Sequence, residues 1–260
     1  DTGSQRFFFE HGALRSDFPG PDQRLSICSP VNVGLYAGEW TPHGIGPELA
    51  VDQRCDDAGS LVFDSAPLTA DMVILGAPSL SVEVTSTASR AILAARLCVI
   101  APDGRVTRVT YGLLNLTHRE SHELPRALEP GVRYPVRLGL NDVALRVPAG
   151  YRLRLSLSTS HWPLVWPSPQ RATLALQTAQ CWLDIPVRPS GTGDEAVEFA
   201  PPTVPKAEPV TWLREVSRIR RVEHDLASGE TTVTWVKDDG AYRLEDNAME
   251  VDAYGEETHT

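Results

Sequence analysis

Cysteine is scarce in this chain: four residues in 260, at Cys28, Cys55, Cys98 and Cys181, with no C-x-x-C pair. No Cys/His group has zinc-finger spacing, so neither a zinc site nor a disulfide framework is read from it. Positive charge is short as well. Lys plus Arg number 24 against 34 Asp plus Glu, and the net charge of −10 repels polyanions, which excludes nucleic acid as a natural partner. No apolar run reaches the roughly 20 residues that a membrane helix needs, so no membrane partner is expected. The motifs G-x-S-x-G, H-E-x-x-H, G-x-x-x-x-G-K-S/T and G-x-G-x-x-G are all missing. Without a nucleophile elbow, a metal-binding helix or a phosphate cradle, this stretch alone is not expected to be an enzyme. No cofactor, no metal and no catalytic residue is expected in it.

Gly and Pro are present instead, 19 and 21 residues, too many for a helical bundle and without collagen periodicity. Apolar residues alternate with period two over most of the length. In Tyr151–Thr159, Tyr151, Leu153, Leu155 and Leu157 fall on one face, and Arg152, Arg154, Ser156 and Ser158 on the other. Ser79–Thr85, Arg133–Leu138, Ala172–Thr178 and Thr231–Val236 read the same way. The run Ala91–Ile100 has β-branched ends and is followed by Pro102-Asp103-Gly104, which reads as a strand entering a tight turn. Crossover helices between strands are absent, so a parallel βαβ sheet is excluded. Many short antiparallel strands need two sheets face to face, and the expectation is an all-β fold, a jelly-roll β-sandwich.

Residues 1–190 are assigned to that sandwich. Residues 191–210 read as a Pro/Gly-rich surface connection. Residues 211–260 read as an appended β-hairpin and strand packed on the sandwich, with the acidic end GEETHT fraying. Cys98 and Cys181 sit in apolar stretches and read as buried free thiols, which points to a reducing compartment and a cytoplasmic location. The opening DTGSQRFFFE has no basic n-region or cleavage motif, so it does not read as a signal peptide.

Three regions hold residues of interest. Tryptophans concentrate in Ser160–Gln170, where Trp162, Trp166 and neighbouring His161 lie among three prolines. A rigid aromatic loop loses little entropy on binding, so it is either a docking element or a cap on the sandwich. Trp40, in the Gly34–Gly46 loop, joins His161, Trp162 and Trp166 as a candidate docking or ligand surface. His118 and His122 in H-R-E-S-H, with Glu120 and Glu123 nearby, read as surface loop residues rather than metal ligands. Asp52, Asp56, Asp57 and Asp64 read as a solvated acidic surface. Arg218 and Arg220 share one strand face, suited to carboxylate partners.

Gly59–Val84 (GSLVFDSAPLTADMVILGAPSLSVEV), Ala95–Glu123 with its P-D-G turn, and Leu128–Pro169 with a G-x-R-I/L-R strand at Gly150–Arg154 resemble the C-terminal, non-catalytic domain of CocE/NonD hydrolases. These are relatives of X-Pro dipeptidyl-peptidases, cocaine esterase and glutaryl acylases. The tail Arg220–Asp246 is similar to the extra hairpin of one subgroup. The resemblance implies a galactose-binding-like jelly roll that covers an α/β-hydrolase domain of the same parent chain. That domain is the implied partner, in an assembly that allows a homo-oligomer. The resemblance also implies that the catalytic Ser, Asp and His lie upstream, with no counterpart here. A carbohydrate-binding module of galactose-binding-like fold is the alternative, since jelly rolls stack aromatic side chains on sugars.

Overall fold

The computed structural model describes residues 3–17, 20–42, 46–189 and 197–260. Residues 43–45 of the Gly34–Gly46 loop and 190–196 around the head of the Pro/Gly-rich connection lie outside them. Contacts gather into two compact units, Asp1–Thr41 with Ala50–Thr192, and Pro42–Leu49 with Gly193–Thr260.

The first unit is built of strands β1 (Gly3–Glu10), β2 (Ala13–Arg15), β3 (Arg24–Ile27), β4 (Leu61–Ser65), β5 (Met72–Gly76), β6 (Ser79–Ser86), β7 (Ile92–Ile100), β8 (Val106–Asn115), β9 (Arg133–Gly139), β10 (Val143–Val147), β11 (Arg152–Ser158), β12 (Leu174–Gln177) and β13 (Trp182–Arg188). Its one α-helix among the described residues, α1, is a single turn at Arg54–Asp57. The fold is all-β, as the period-two pattern implies. Hydrogen bonding runs β3-β12-β6-β13-β1-β2-β4-β11-β7-β8, with β9 on β6 and β10 on β5. The β2–β4 pair is parallel, an exception to the antiparallel expectation.

Alternation places Leu80, Val82 and Val84 of β6 and Leu153, Leu155 and Leu157 of β11 in one apolar cluster. Phe9 stacks on Phe63 there at 4.6 Å. Each such side chain contributes about 1.5–3 kcal/mol by leaving water. The sheet therefore wraps so that both layers face a common core, which is what makes it a sandwich. After β7, Gly104 takes φ +86° and its N–H donates to Ala101 O at 2.9 Å; the P-D-G turn needs a residue without a Cβ penalty at that angle.

β7 is buried on both faces along nearly its whole length. One face meets the core. The other is covered by the segment that precedes β4, and Arg96 points that way.

In the second unit, β16 (Thr231–Leu244) is central, with β14 (Val210–Arg214) and β15 (Ser217–His224) along one side and β17 (Glu250–His259) along the other. The acidic end does not fray as far as expected. Gly255–His259 belong to β17, with His259 opposite Val233 and Thr258 opposite Thr234, because a 14-residue partner strand offers backbone hydrogen bonds over that whole length. Arg218 contacts the Asp239 carboxylate, and the Arg220 guanidinium lies 5.7 Å from the Trp235 ring.

Candidate functional site

The candidate docking residues sort into two depths. Trp40 and Trp166 are 64% and 77% exposed, whereas Trp162 is 5% and His161 0% exposed. His161 and Trp162 thus do not present a surface; they form its seat.

Two loops are stitched together there. The Ser29 N–H donates to Thr159 Oγ1 at 2.9 Å and the Thr159 N–H returns to Ser29 Oγ at 3.0 Å. Ser160 Oγ donates to Val31 O at 2.5 Å and the Trp162 N–H to Val33 O at 2.9 Å. Gly34 fits because it has no side chain. Its φ is +115°, and a Cβ would stand 2.6 Å from the His161 carbonyl carbon.

Aromatic contacts connect the surface to the interior. Trp40 meets Tyr111 edge-on at 6.1 Å between centroids, and Tyr111 stacks on His161 at 5.7 Å. The Arg108 guanidinium lies 4.5 Å from the Tyr111 ring centroid and donates to Ala37 O. Burial, together with the positive charges of Arg96 and Arg108, pushes His161 down to about 3. Its neutral imidazole therefore behaves as a flat aromatic spacer. Neither ring nitrogen has a hydrogen-bond partner among the described residues.

Beneath the loops lies an ion network that the sequence reading missed. Asp56 and Asp57 are buried, not solvated as expected. Arg96, 0% exposed, donates to Asp57 Oδ1 at 3.1 Å, Gln53 Oε1 at 2.9 Å and Ser60 Oγ at 3.0 Å. It also lies 3.4 Å from Asp56. Arg154 donates twice to Asp64 at 2.7 Å and once to Asp57 Oδ2 at 2.9 Å. Hydrogen bonds to Asp64 lead the causes that raise its pKa. Ser156 Oγ donates to Asp57 Oδ1 at 2.6 Å. A lone arginine inside the apolar run Ala91–Ile100 was the available signal. Such a charge is buried only where carboxylates meet it, and the nearby Asp cluster supplies them.

The His118 and His122 rings stack at 5.7 Å, and among the described residues no group of three or more His, Cys, Asp or Glu is placed to hold a metal ion. Cys98 and Cys181 are buried free thiols, as expected, and burial pushes each up to about 12. No helix among the described residues is long and apolar enough to cross a membrane.

Comparison with solved structures shows the same fold in parts of three hydrolases. An aminopeptidase from the marine sediment archaeon Thaumarchaeota archaeon is 17% identical with a TM-score of 0.61, over 72% of this chain and 37% of that one. An α-amino acid ester hydrolase is 20% identical with a TM-score of 0.59, over 71% and 36%. A CocE/NonD family hydrolase from Staphylococcus aureus is 13% identical with a TM-score of 0.55, over 72% and 37%. The chain thus spans little more than a third of each of these proteins. No curated protein matches it in sequence. Residues 2–201 match the X-Pro dipeptidyl-peptidase C-terminal non-catalytic domain, and the chain belongs to that family.

Proposed function

We propose that this chain is the non-catalytic accessory part of a CocE/NonD-type serine hydrolase and packs on that enzyme's α/β-hydrolase domain. In this reading it walls the substrate cleft and aids assembly, while the nucleophile, base and acid reside upstream. The parent reaction is ester, amide or X-Pro dipeptide hydrolysis. Reading the sandwich as a galactose-binding-like jelly roll belongs to the same proposal. So does a cytoplasmic location, on the strength of the free buried thiols.

The observation that carries the reading is the exposure of Trp40 and Trp166 beside loops stitched to each other and to the sandwich. Large aromatic side chains left in water on a preorganised support are the usual anchors of a protein interface. The family's non-catalytic character and the much greater length of the hydrolases that share the fold agree with it.

The test is the double variant Trp40→Ala, Trp166→Ala in the parent enzyme. Docking predicts a fall in kcat/KM or in the cohesion of the two domains, with the fold of this chain intact. Unchanged kcat/KM and unchanged cohesion would overturn it. Calorimetric titration of the chain with galactose tests the carbohydrate-binding alternative, which requires heat of binding at millimolar sugar.

A further inference from the structure

The Trp40 loop is irregular between Ser29 and Thr41, yet its main chain is held at defined points. The N–H groups of Gly34 and Tyr36 both donate to the Asp56 carboxylate, to Oδ1 at 2.9 Å and to Oδ2 at 3.1 Å. Gln53 Nε2 donates to Tyr36 O and to Val51 O, each at 2.7 Å. The Ala37 N–H turns back to Gly34 O at 3.0 Å, and Arg108 donates to Ala37 O. The loop from Gly34 to Ala37 is thus pinned from below just ahead of Trp40.

Those pins converge on one side chain. Arg96 Nη1 lies 3.4 Å from Asp56 Oδ2 and 2.9 Å from Gln53 Oε1. Arg96 in turn stands on β7 opposite Ser156 of β11, whose hydroxyl donates to Asp57. The sandwich strands therefore reach the loop by two routes from Arg96, a hydrogen bond to Gln53 and an ion pair with Asp56. A carboxylate is suited to the task because it accepts two diverging backbone N–H groups at once, and buried charge-assisted bonds are stronger than neutral ones.

We propose that Asp56, held by Arg96, is the positioning residue of the Trp40 loop: its carboxylate fixes the main chain of Gly34 and Tyr36 and presets the turn that presents Trp40. A preset turn spares the ordering entropy that a floppy loop loses when a partner arrives. The consequence for docking rests on the function proposed above; the positioning itself does not.

Amide hydrogen exchange on the chain, wild type against Asp56→Asn, tests this. Asn has a single acceptor oxygen, so one of the two N–H groups would meet an NH2 donor, while Arg96 keeps Asp57, Gln53 and Ser60. Exchange at Gly34 and Tyr36 is expected to rise roughly tenfold or more, with the amides of β7 and β11 unchanged. Unaltered exchange at Gly34 and Tyr36 would overturn the assignment. Should the variant lose its fold, the wild type decides. Protection of these two loop amides comparable to that of β7 supports the assignment, and coil-like exchange overturns it. Docking strength of Asp56→Asn in the parent enzyme is a separate readout. A freed loop with weakened docking supports both proposals, whereas a freed loop with undiminished docking keeps Asp56 as the positioning residue and removes the Trp40 interface.

Discussion

Arg96 donates through Nη2 to Asp57 Oδ1 at 3.1 Å, and both side chains are shut away from solvent. Asp57 is shared: its other oxygen accepts from Arg154 at 2.9 Å. Arg96 and Arg154 meet three carboxylates under the loops, Asp56, Asp57 and Asp64, where an unpaired buried charge would be costly. Removing one member of such a set leaves the others uncompensated.

Arg96→Met is accordingly expected to destabilise the chain by about 3–5 kcal/mol, because Asp56 loses its arginine partner and Asp57 one of two. Urea unfolding measures it. A double-mutant cycle with Asp57→Asn should show coupling of about 1–3 kcal/mol; additive effects would contradict the shared network.

Two glycines with positive φ should respond unequally to alanine. Gly104 has φ +86° and no atom within 4 Å of where a Cβ would stand, whereas at Gly34, φ +115°, a Cβ would lie 2.6 Å from His161 and 2.7 Å from Trp162 O. Gly104→Ala carries only the conformational penalty of a left-handed φ, about 1–2 kcal/mol. Gly34→Ala adds a backbone clash and is expected to cost well over twice that, read by thermal or urea unfolding. Equal losses would contradict the loop contact.

Acid should weaken the fold through His161. Its pKa is near 3 in the folded chain and about 6.5 when unfolded. The unfolded state therefore binds the proton first, and stability is full above pH 6.5 and declines as pH falls toward 3. Between pH 7 and pH 4 the loss assigned to this residue is about 3 kcal/mol. Comparison with His161→Phe, which keeps a ring against Tyr111, isolates it. The wild type should lose that much more stability than the variant, and parallel pH curves would contradict the assignment.

Strand pattern was the legible part of this sequence. Leu153, Leu155 and Leu157 alternate with polar residues, and they are the buried side of β11. The opposite side was not legible. Arg154, Ser156 and Ser158 look like a solvent face, yet Ser156 and Ser158 are buried, because what covers a strand is set by distant chain and not by period. The same blindness applied to Asp56 and Asp57, whose partner Arg96 lies some 40 residues on. Trp162 and Trp166 are four residues apart in one loop. Only tertiary packing decides that the first is interior and the second exposed.

The central claim is that the Trp40 and Trp166 surface is covered by a hydrolase domain. Hydroxyl-radical footprinting of the parent enzyme, against this chain alone, reads it side chain by side chain. Trp40 and Trp166 are expected to oxidise readily in the chain alone and to be protected in the parent, with Trp162 slow in both. Equal and rapid oxidation of Trp40 and Trp166 in the two proteins would contradict it.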